Sequence, residues 1–288
     1  MQIGAKLRGA LLTMRSMGAR TLIREMLRRG FGIGYTYRGV PVRDSETFRV
    51  LRNLMVSGRR FRVSEERIYV ETRYGILAVP LDEAKLLEMD TLTGGIYDAY
   101  NVMDVKDSIV VDVGAYIGDT VVYFASRGAR RIYAYEPVKR LFEILLENIK
   151  LNRLEDRVKA FNAGVWYRDG MLTAQHFLYP STLNEAEAAG GEEGEAVRVV
   201  DLGSVLASAA GEERLVVKMD CEGCEYSLLL KPCETLQLAD QYLVEIHGAY
   251  NVIASRMHEC GFKPRLVKIV DASNKDFPVT LWLFTKNK

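Results

Sequence analysis

Apolar positions change their spacing as this chain proceeds. Over residues 1–29, Leu7, Leu11, Met14, Leu22 and Met26 recur at helix-like intervals with basic residues between them, which predicts an amphipathic helix. Gly30-Phe-Gly-Ile-Gly34 breaks that pattern. Later the spacing becomes alternate. Ile68, Val70 and Thr72 precede Arg73-Tyr74-Gly75, and Ile76-Leu-Ala-Val79 follows, the pattern of a hairpin. Asp82 is placed to cap a short helix over residues 83–89. Gly94-Gly95 closes the region and sets a boundary, with an N-terminal helical and hairpin extension over residues 1–93.

From residue 94 to residue 288 the pattern is different, and a second domain is expected. Short apolar runs alternate with helical stripes. Ile109-Val-Val-Asp-Val113 predicts a buried strand that ends in Gly-rich sequence, and residues 119–127 predict a helix. Ile132-Tyr-Ala-Tyr-Glu136 is a second strand; residues 138–151, with Leu141, Leu145 and Ile149 on one stripe, are a second helix. Further strands are expected at 158–163, 215–219, 242–246, 266–270 and 279–284, and a helix at 252–260 that stops at Gly261. This order predicts an α/β fold with a doubly wound, mostly parallel sheet. Residues 184–195 are acidic, rich in Ala and Gly and without an apolar stripe, and read as an insert or lid. No long internal repeat is visible.

Composition adds three points. About half of the 288 residues are apolar (48%), enough to bury a sizeable core. The charge is nearly balanced, at 39 basic and 38 acidic residues, so the total does not call for a nucleic acid. The distribution is uneven, because residues 6–62 are mostly basic in charge. The basic N-terminal helix is therefore a candidate for contact with a membrane surface or a partner, with packing on a domain as the plainer reading. No stretch reaches the roughly 20 apolar residues of a membrane helix, and Arg8, Arg15, Arg20 and Arg24 interrupt any signal-like run, so a cytoplasmic protein is expected. Cys221-Glu-Gly-Cys224 is a CxxC, but it lacks both the thioredoxin-like setting and a second CxxC. Redox and metal readings are therefore not favoured, and no metal is expected.

Candidate chemistry begins at the turn after the first of these strands. In doubly wound folds ligands bind at the carboxyl ends of the strands. Asp112-Val-Gly114-Ala115-Tyr116-Ile-Gly118 has the form Asp-x-Gly-x-x-x-Gly, not the Gly-x-Gly-x-x-Gly of dinucleotide enzymes. An acid beside the turn suits a ligand that carries an ammonium group, such as S-adenosylmethionine. Glu136, at the end of the next strand, is placed to accept both ribose hydroxyls, and Pro137 suits the first turn of a helix. The third element is Lys218-Met-Asp-Cys-Glu-Gly-Cys-Glu225, which gathers three carboxylates at a strand end.

Val111-Asp-Val-Gly-Ala-Tyr-Ile-Gly-Asp119, Tyr133-Ala-Tyr-Glu-Pro137, Glu147-Asn-Ile-Lys-Leu-Asn152 and the Lys218–Glu225 segment resemble the FkbM family of methyltransferases over roughly residues 94–250. The resemblance implies a class I, Rossmann-like methyltransferase fold: seven strands, mostly parallel, with an antiparallel last strand. It also implies S-adenosylmethionine as cofactor and O-methylation of a sugar or polyketide hydroxyl. Asp112, Gly114, Ala115, Tyr116 and Gly118 would then cradle the methionine part, Glu136 and Pro137 would meet the ribose, and Asn162 and Ala163 would flank the adenine. Asp220, Glu222 and Glu225 would face the active site, with Asp220 also near the cofactor. Glu245-Ile-His247 resembles a family segment too. The chain departs from the pattern at Tyr116, where Asn is usual, and at Cys221 and Cys224, where small or aliphatic residues are usual. These departures favour an incidental CxxC. The first 90 or so residues match no motif.

A sugar hydroxyl needs a base for methyl transfer. His247 is the first candidate, because an unshifted histidine is part-neutral near pH 7, followed by Asp220, Glu222 and Glu245. A divalent ion held by a carboxylate pair is a less favoured alternative. The expected acceptor is a sugar, glycan or related small molecule. Two rivals are an RNA or tRNA methyltransferase and a methyltransferase fold kept only for binding. The acids at residues 220–222 stand where amino- and base-methylating enzymes carry Asn-Pro-Pro-Tyr or Asn-Leu-Pro, and they repel a phosphate backbone, which counts against nucleic acid. Tyr97, Tyr100, His176 and Tyr179 are candidates to line the acceptor pocket.

Overall fold

The computed structural model of the chain describes residues 35–37, 40–42, 44–64, 66–87, 95–173, 196–211, 213–272 and 278–287. The expected N-terminal helix, the acidic insert, His176 and Tyr179 lie outside the described residues. The chain divides into two compact units, Met1–Ile96 and Tyr97–Lys288.

Among the described residues, the first unit holds two small antiparallel sheets and a helix. β1 (Tyr35–Tyr37) pairs with β2 (Val40–Val42). α1 (Ser45–Val56) starts at Asp44, whose Oδ1 accepts from the Thr47 backbone N–H at 2.7 Å. Its Phe48, Val50, Leu51 and Leu54 are buried. β3 (Phe61–Val63), β4 (Arg67–Glu71) and β5 (Ile76–Pro80) form the second sheet, and the β4–β5 pair is the expected hairpin. A short 3-10 helix at Leu81–Leu86 follows. Asp82 does not cap it: Pro80 stands at the cap position without a side-chain bond, and the helix starts one residue before Asp82.

The second unit opens with α2 (Gly95–Tyr100), which begins at the junction. Then come β6 (Ile109–Val113), α3 (Asp119–Ser126), β7 (Arg131–Tyr135), α4 (Lys139–Leu151) and β8 (Val158–Phe161). β9 (Gly164–Trp166), β10 (Gly170–Thr173) and β11 (Ala196–Asp201) form a side sheet that the sequence pattern did not announce. The chain returns through α5 (Leu202–Ala209), β12 (Leu215–Met219), a 3-10 helix (Cys224–Leu230), α6 (Cys233–Leu236), β13 (Gln241–His247), α7 (Tyr250–Glu259), β14 (Phe262–Asp271) and β15 (Val279–Lys286).

The main sheet has seven strands in the order β14-β15-β13-β12-β6-β7-β8. β8, β7, β6, β12 and β13 run parallel, and β15 is antiparallel to both β13 and β14. This is the class I methyltransferase arrangement. The central strands explain it: every residue of β6 and β12 is buried, as parallel strands covered on both faces require. Val111, Val113, Met219, Val244, Ile246, Leu228 and Phe284 belong to one core cluster. The chain order reverses between β6 and β12, so their carboxyl ends flank the crevice where such folds bind ligands. Among the described residues no helix is long and apolar enough to cross a membrane.

Candidate active site

Backbone shape sets the floor of the crevice. The turn after β6 carries Gly114 at φ +75°, Tyr116 at φ +51° and Gly118 at φ +87°. A Cβ on Gly114 would lie 1.9 Å from the Asp220 carbonyl oxygen. Gly114 is therefore required because the loops after β6 and β12 touch, a reason internal to the protein. Tyr116 holds a left-handed conformation that Asn adopts at lower cost, which accounts physically for the Asn usual in the family pattern. Its backbone N–H donates to Glu136 Oε2 at 2.9 Å, while Glu136 Oε1 accepts from the Val138 N–H at 2.9 Å. Glu136 thus ties the Gly turn to the end of β7. Burial raises its pKa to about 7, against the lowering effect of the Val138 and Tyr116 N–H groups. Val138 is the cap of α4, so Pro137 precedes the helix and does not sit in its first turn, a correction to the expectation from sequence.

Asp112 is fully buried. Its Oδ2 accepts from Thr120 Oγ1 at 2.5 Å, and its Oδ1 lies 3.3 Å from Lys218 Nζ. Solvent does not reach it, and these contacts place its carboxylate beneath the turn that Gly114 and Gly118 form. Lys218 faces Asp112 in the β6–β12 register and donates to the Gly114 carbonyl at 2.7 Å. Burial opposes its charge, but Asp112, Asp220 and Asp119 outweigh burial and raise its pKa, so it stays cationic. Ala115 is buried, and Asn148, also buried, donates to the Ile117 carbonyl at 2.8 Å. The Glu147–Asn152 motif therefore serves the Gly turn from α4. Asn162 donates from Nδ2 to the Glu136 and Pro137 carbonyls at 3.0 and 2.9 Å, and Ala163 is buried beside it.

On the other side of the crevice stand the acids. Asp220 Oδ2 accepts from Tyr100 Oη at 3.2 Å and lies 3.9 Å from Lys218 Nζ. Tyr97 and Tyr100 are buried, and Tyr97 stacks on Tyr123 with ring centroids 4.9 Å apart. Both tyrosines are therefore packing residues, and Tyr100 also reaches Asp220. His247 ends β13. Its Nδ1 is 3.1 Å from Glu225 Oε1, which also accepts from the His247 backbone N–H at 3.0 Å. Its Nε2 is 3.2 Å from Glu222 Oε2 and 3.8 Å from Glu245 Oε1. Glu225 is fully buried, its other oxygen taking the Gly223 N–H at 2.7 Å. Tyr226 Oη donates to the His247 carbonyl at 2.6 Å and fixes the strand end.

Electrostatics correct the picture of an unshifted histidine. Burial opposes its charge, but the hydrogen bond and charge of Glu225, then Glu222 and Glu245, raise the His247 pKa to about 9. Burial, with Asp220 next, raises Glu245 to about 8. Near neutral pH the imidazole is therefore protonated. Glu222 itself stands at φ +54°, followed by Gly223 at φ +119°, so the loop turns sharply to bring its carboxylate to the ring. The cysteines are not incidental neighbours here: Cys221 and Cys224 are joined in a disulfide, and so are Cys233 and Cys260. Among the described residues no group of three or more His, Cys, Asp or Glu side chains has the geometry to hold a metal ion.

The sequence singled out most of these positions. It missed Lys218, Asn148 and Tyr226 as parts of the site, and Glu225 as the partner of His247. A lysine inside a fully apolar strand run was the available signal for the first.

Comparison with known proteins points to one family. A family model described as the methyltransferase FkbM domain matches residues 112–264, just over half of the chain. Methyltransferase sdnD of Sordaria araneosa is 26% identical over 242 residues, with 72% of this chain and 87% of that protein covered. An uncharacterised protein, 158B, of Sulfolobus islandicus rod-shaped virus 1 is 26% identical over 150 residues, with 52% of this chain and 66% of that protein covered, so the chain spans just under two thirds of its length. Among solved structures, M. jannaschii TYW2 in complex with AdoMet is 15% identical at a TM-score of 0.45, with 78% of this chain and 89% of that one covered.

Proposed function

The chain belongs to the FkbM methyltransferase family, whose methyl donor is S-adenosylmethionine, and from that premise we propose that it O-methylates a hydroxyl of a sugar, glycan or related small molecule, with His247 as the base and Glu225 as the residue that positions it. The donor set fits the cofactor. Glu136 is bound to the Gly turn through Tyr116, so a ribose-holding acid and a cradle for the amino-acid part are one hydrogen-bonded unit. Asn162 and Ala163 extend that unit past β8. When bound, the cofactor supplies an electrophilic methyl group on a sulfonium.

The chain's own residues do the rest. The observation that carries the reading is the His247–Glu225 pair at the end of β13, beside the Asp220 loop. Nδ1–H donates to a buried carboxylate, so the proton that the cationic ring gives up as pH rises comes from Nε2, which then becomes the proton acceptor. Glu222 holds Nε2 from a half-exposed position, 46% accessible, and an incoming hydroxyl takes its place. Asp220, held by Tyr100, orients the acceptor. The crowd of carboxylates disfavours phosphorylated acceptors and a nucleic-acid backbone, because like charges that are poorly solvated repel strongly. A membrane or partner contact through the basic N-terminal segment belongs to this proposal as well. The cytoplasmic location expected from the sequence is not carried into this proposal, because the two disulfides are of a kind that a reducing cytosol does not usually preserve.

The test is transfer of labelled methyl from S-adenosylmethionine to a panel of neutral sugars and glycans, sugar phosphates and RNA. Label on a neutral sugar hydroxyl, lost in His247→Ala, is the expected result. Label only on RNA would overturn the acceptor class.

A further inference from the structure

The Lys218–Glu225 segment contains a feature that the methyl-transfer reading does not use. Cys221 and Cys224 alternate with the acids: Asp220, Cys221, Glu222, Gly223, Cys224, Glu225. Their disulfide spans a sequence separation of only 3, and Glu222 and Gly223 form the arch between the two sulfurs. Both residues of the arch have positive φ, +54° for Glu222 and +119° for Gly223. The cysteines themselves are buried, at 8% and 1% exposure, in the core cluster that includes Val113, Met219, Leu228 and Ile246. The Cys221 sulfur lies 3.9 Å from Glu225 Oε2, so the bridge also touches the carboxylate that holds His247.

We propose that the Cys221–Cys224 disulfide is a positioning element of the active site. It pins both feet of the arch into the core, so that Glu222 stays on the Nε2 side of the His247 ring and Glu225 on the Nδ1 side. Unpinned, a non-glycine residue at positive φ relaxes toward the ordinary regions of backbone space, and Glu222 leaves the ring. Reduction by a dithiol breaks the S–S bond. Two electrons and two protons pass to the two cysteine sulfurs, and the reductant closes into its own disulfide. Turnover by the proposed methyltransferase then falls under reducing conditions; that consequence rests on the proposed function, whereas the effect on His247 does not.

A simple staple predicts something else. The Cys233–Cys260 bridge spans a separation of 27, joins the start of α6 to the end of α7 and encloses a longer loop, so it constrains the unfolded chain more. It lies outside the arch and serves as the internal control.

The experiment follows the His247 ring by NMR through a pH titration of the full chain, with the resonance assigned by His247→Gln. Four samples are compared: oxidised wild type, wild type reduced with excess dithiothreitol, Cys221→Ser/Cys224→Ser, and Cys233→Ser/Cys260→Ser. The expected result is a midpoint near pH 9 in the oxidised protein. It falls by about one unit or more, a tenfold loss of proton affinity, in the reduced protein and in the Cys221/Cys224 variant. The Cys233/Cys260 variant keeps the wild-type midpoint while melting at a lower temperature. Should the reduced sample lose its fold, the Cys221/Cys224 variant decides alone. An unchanged His247 midpoint in that variant overturns the proposal. Calorimetry with S-adenosylmethionine on the same samples separates the two readings: wild type that does not bind the cofactor contradicts the proposed function, whichever way the titration falls.

Discussion

A methyl group added at Gly114 would meet the Asp220 carbonyl oxygen at 1.9 Å on a backbone already at φ +75°. Gly114→Ala is therefore expected to lower stability by about 3 kcal/mol and to abolish cofactor binding, as read by thermal melting and calorimetry. Gly118, at φ +87° and with Leu145 Cδ1 2.7 Å from its would-be Cβ, faces a flexible side-chain tip and tolerates change better in space, though not in conformation. His247 carries a second prediction. With its pKa raised to about 9, the free enzyme is mostly protonated at neutral pH, so kcat/KM rises with pH up to about 9. Glu225→Gln removes the largest favourable partner, and the limb moves toward the unshifted histidine near 6.5. A pH–rate profile that is the same in wild type and Glu225→Gln would contradict the positioning role. These residues were legible in unequal measure. His247 and the acids stood out by type, but the buried pairing with Glu225 depends on β13 and the 3-10 helix meeting in space, 22 residues apart in sequence. Asp112 was legible as part of the turn, but its pairing with Lys218 and Thr120 was not, because burial is not written in a residue's name.

Elements were easier to read than their ends. The central parallel strands announced themselves because a strand covered on both faces is nearly continuous in apolar residues, as Ile109–Val113 and Leu215–Met219 are apart from Asp112 and Lys218, which pair with each other. α4 announced itself by its stripe, and it shows why the Glu147–Asn152 motif exists: Asn148 reaches from the helix to the Ile117 carbonyl, and Asn152 donates to the Asn148 carbonyl at 2.7 Å. Asn148→Ala leaves that buried carbonyl unsatisfied, with an expected loss of about 2 kcal/mol in chemical denaturation and weaker cofactor binding through a loosened turn. The side sheet of β9, β10 and β11 stayed hidden because its strands have three, four and six residues, and two of them pair across a long sequence gap. α1 was missed although Asp44 caps it, because Thr47 and Val50 blur its stripe of Phe48, Leu51 and Leu54.

For the whole molecule, the raised pKa values make stability depend on pH. His247 binds its proton more tightly folded than unfolded, so its contribution is complete below about 6.5 and is lost as pH rises toward about 9. Glu245, raised to about 8, acts in the same direction, from its ordinary value of 4.5 upward. The melting temperature is expected to fall between pH 6.5 and 9, by the equivalent of roughly 3 kcal/mol at most for His247, and less steeply in His247→Gln. At this scale the family fold was legible in sequence order alone: strand, Gly turn, helix, strand and acid point to one crevice. The acceptor could not be read, because residue type does not separate a side chain that packs from one that meets a ligand: Tyr100 is buried and also donates to Asp220. The measurement that bears most directly on the account is a calorimetric titration of the protein with S-adenosylmethionine beside Glu136→Ala. Wild type is expected to bind with micromolar affinity, and the variant to lose about 10- to 100-fold, the value of one or two hydrogen bonds to a charged group. Absence of binding by wild type, or equal binding by Glu136→Ala, would contradict the cofactor site described at the ends of β6 and β7.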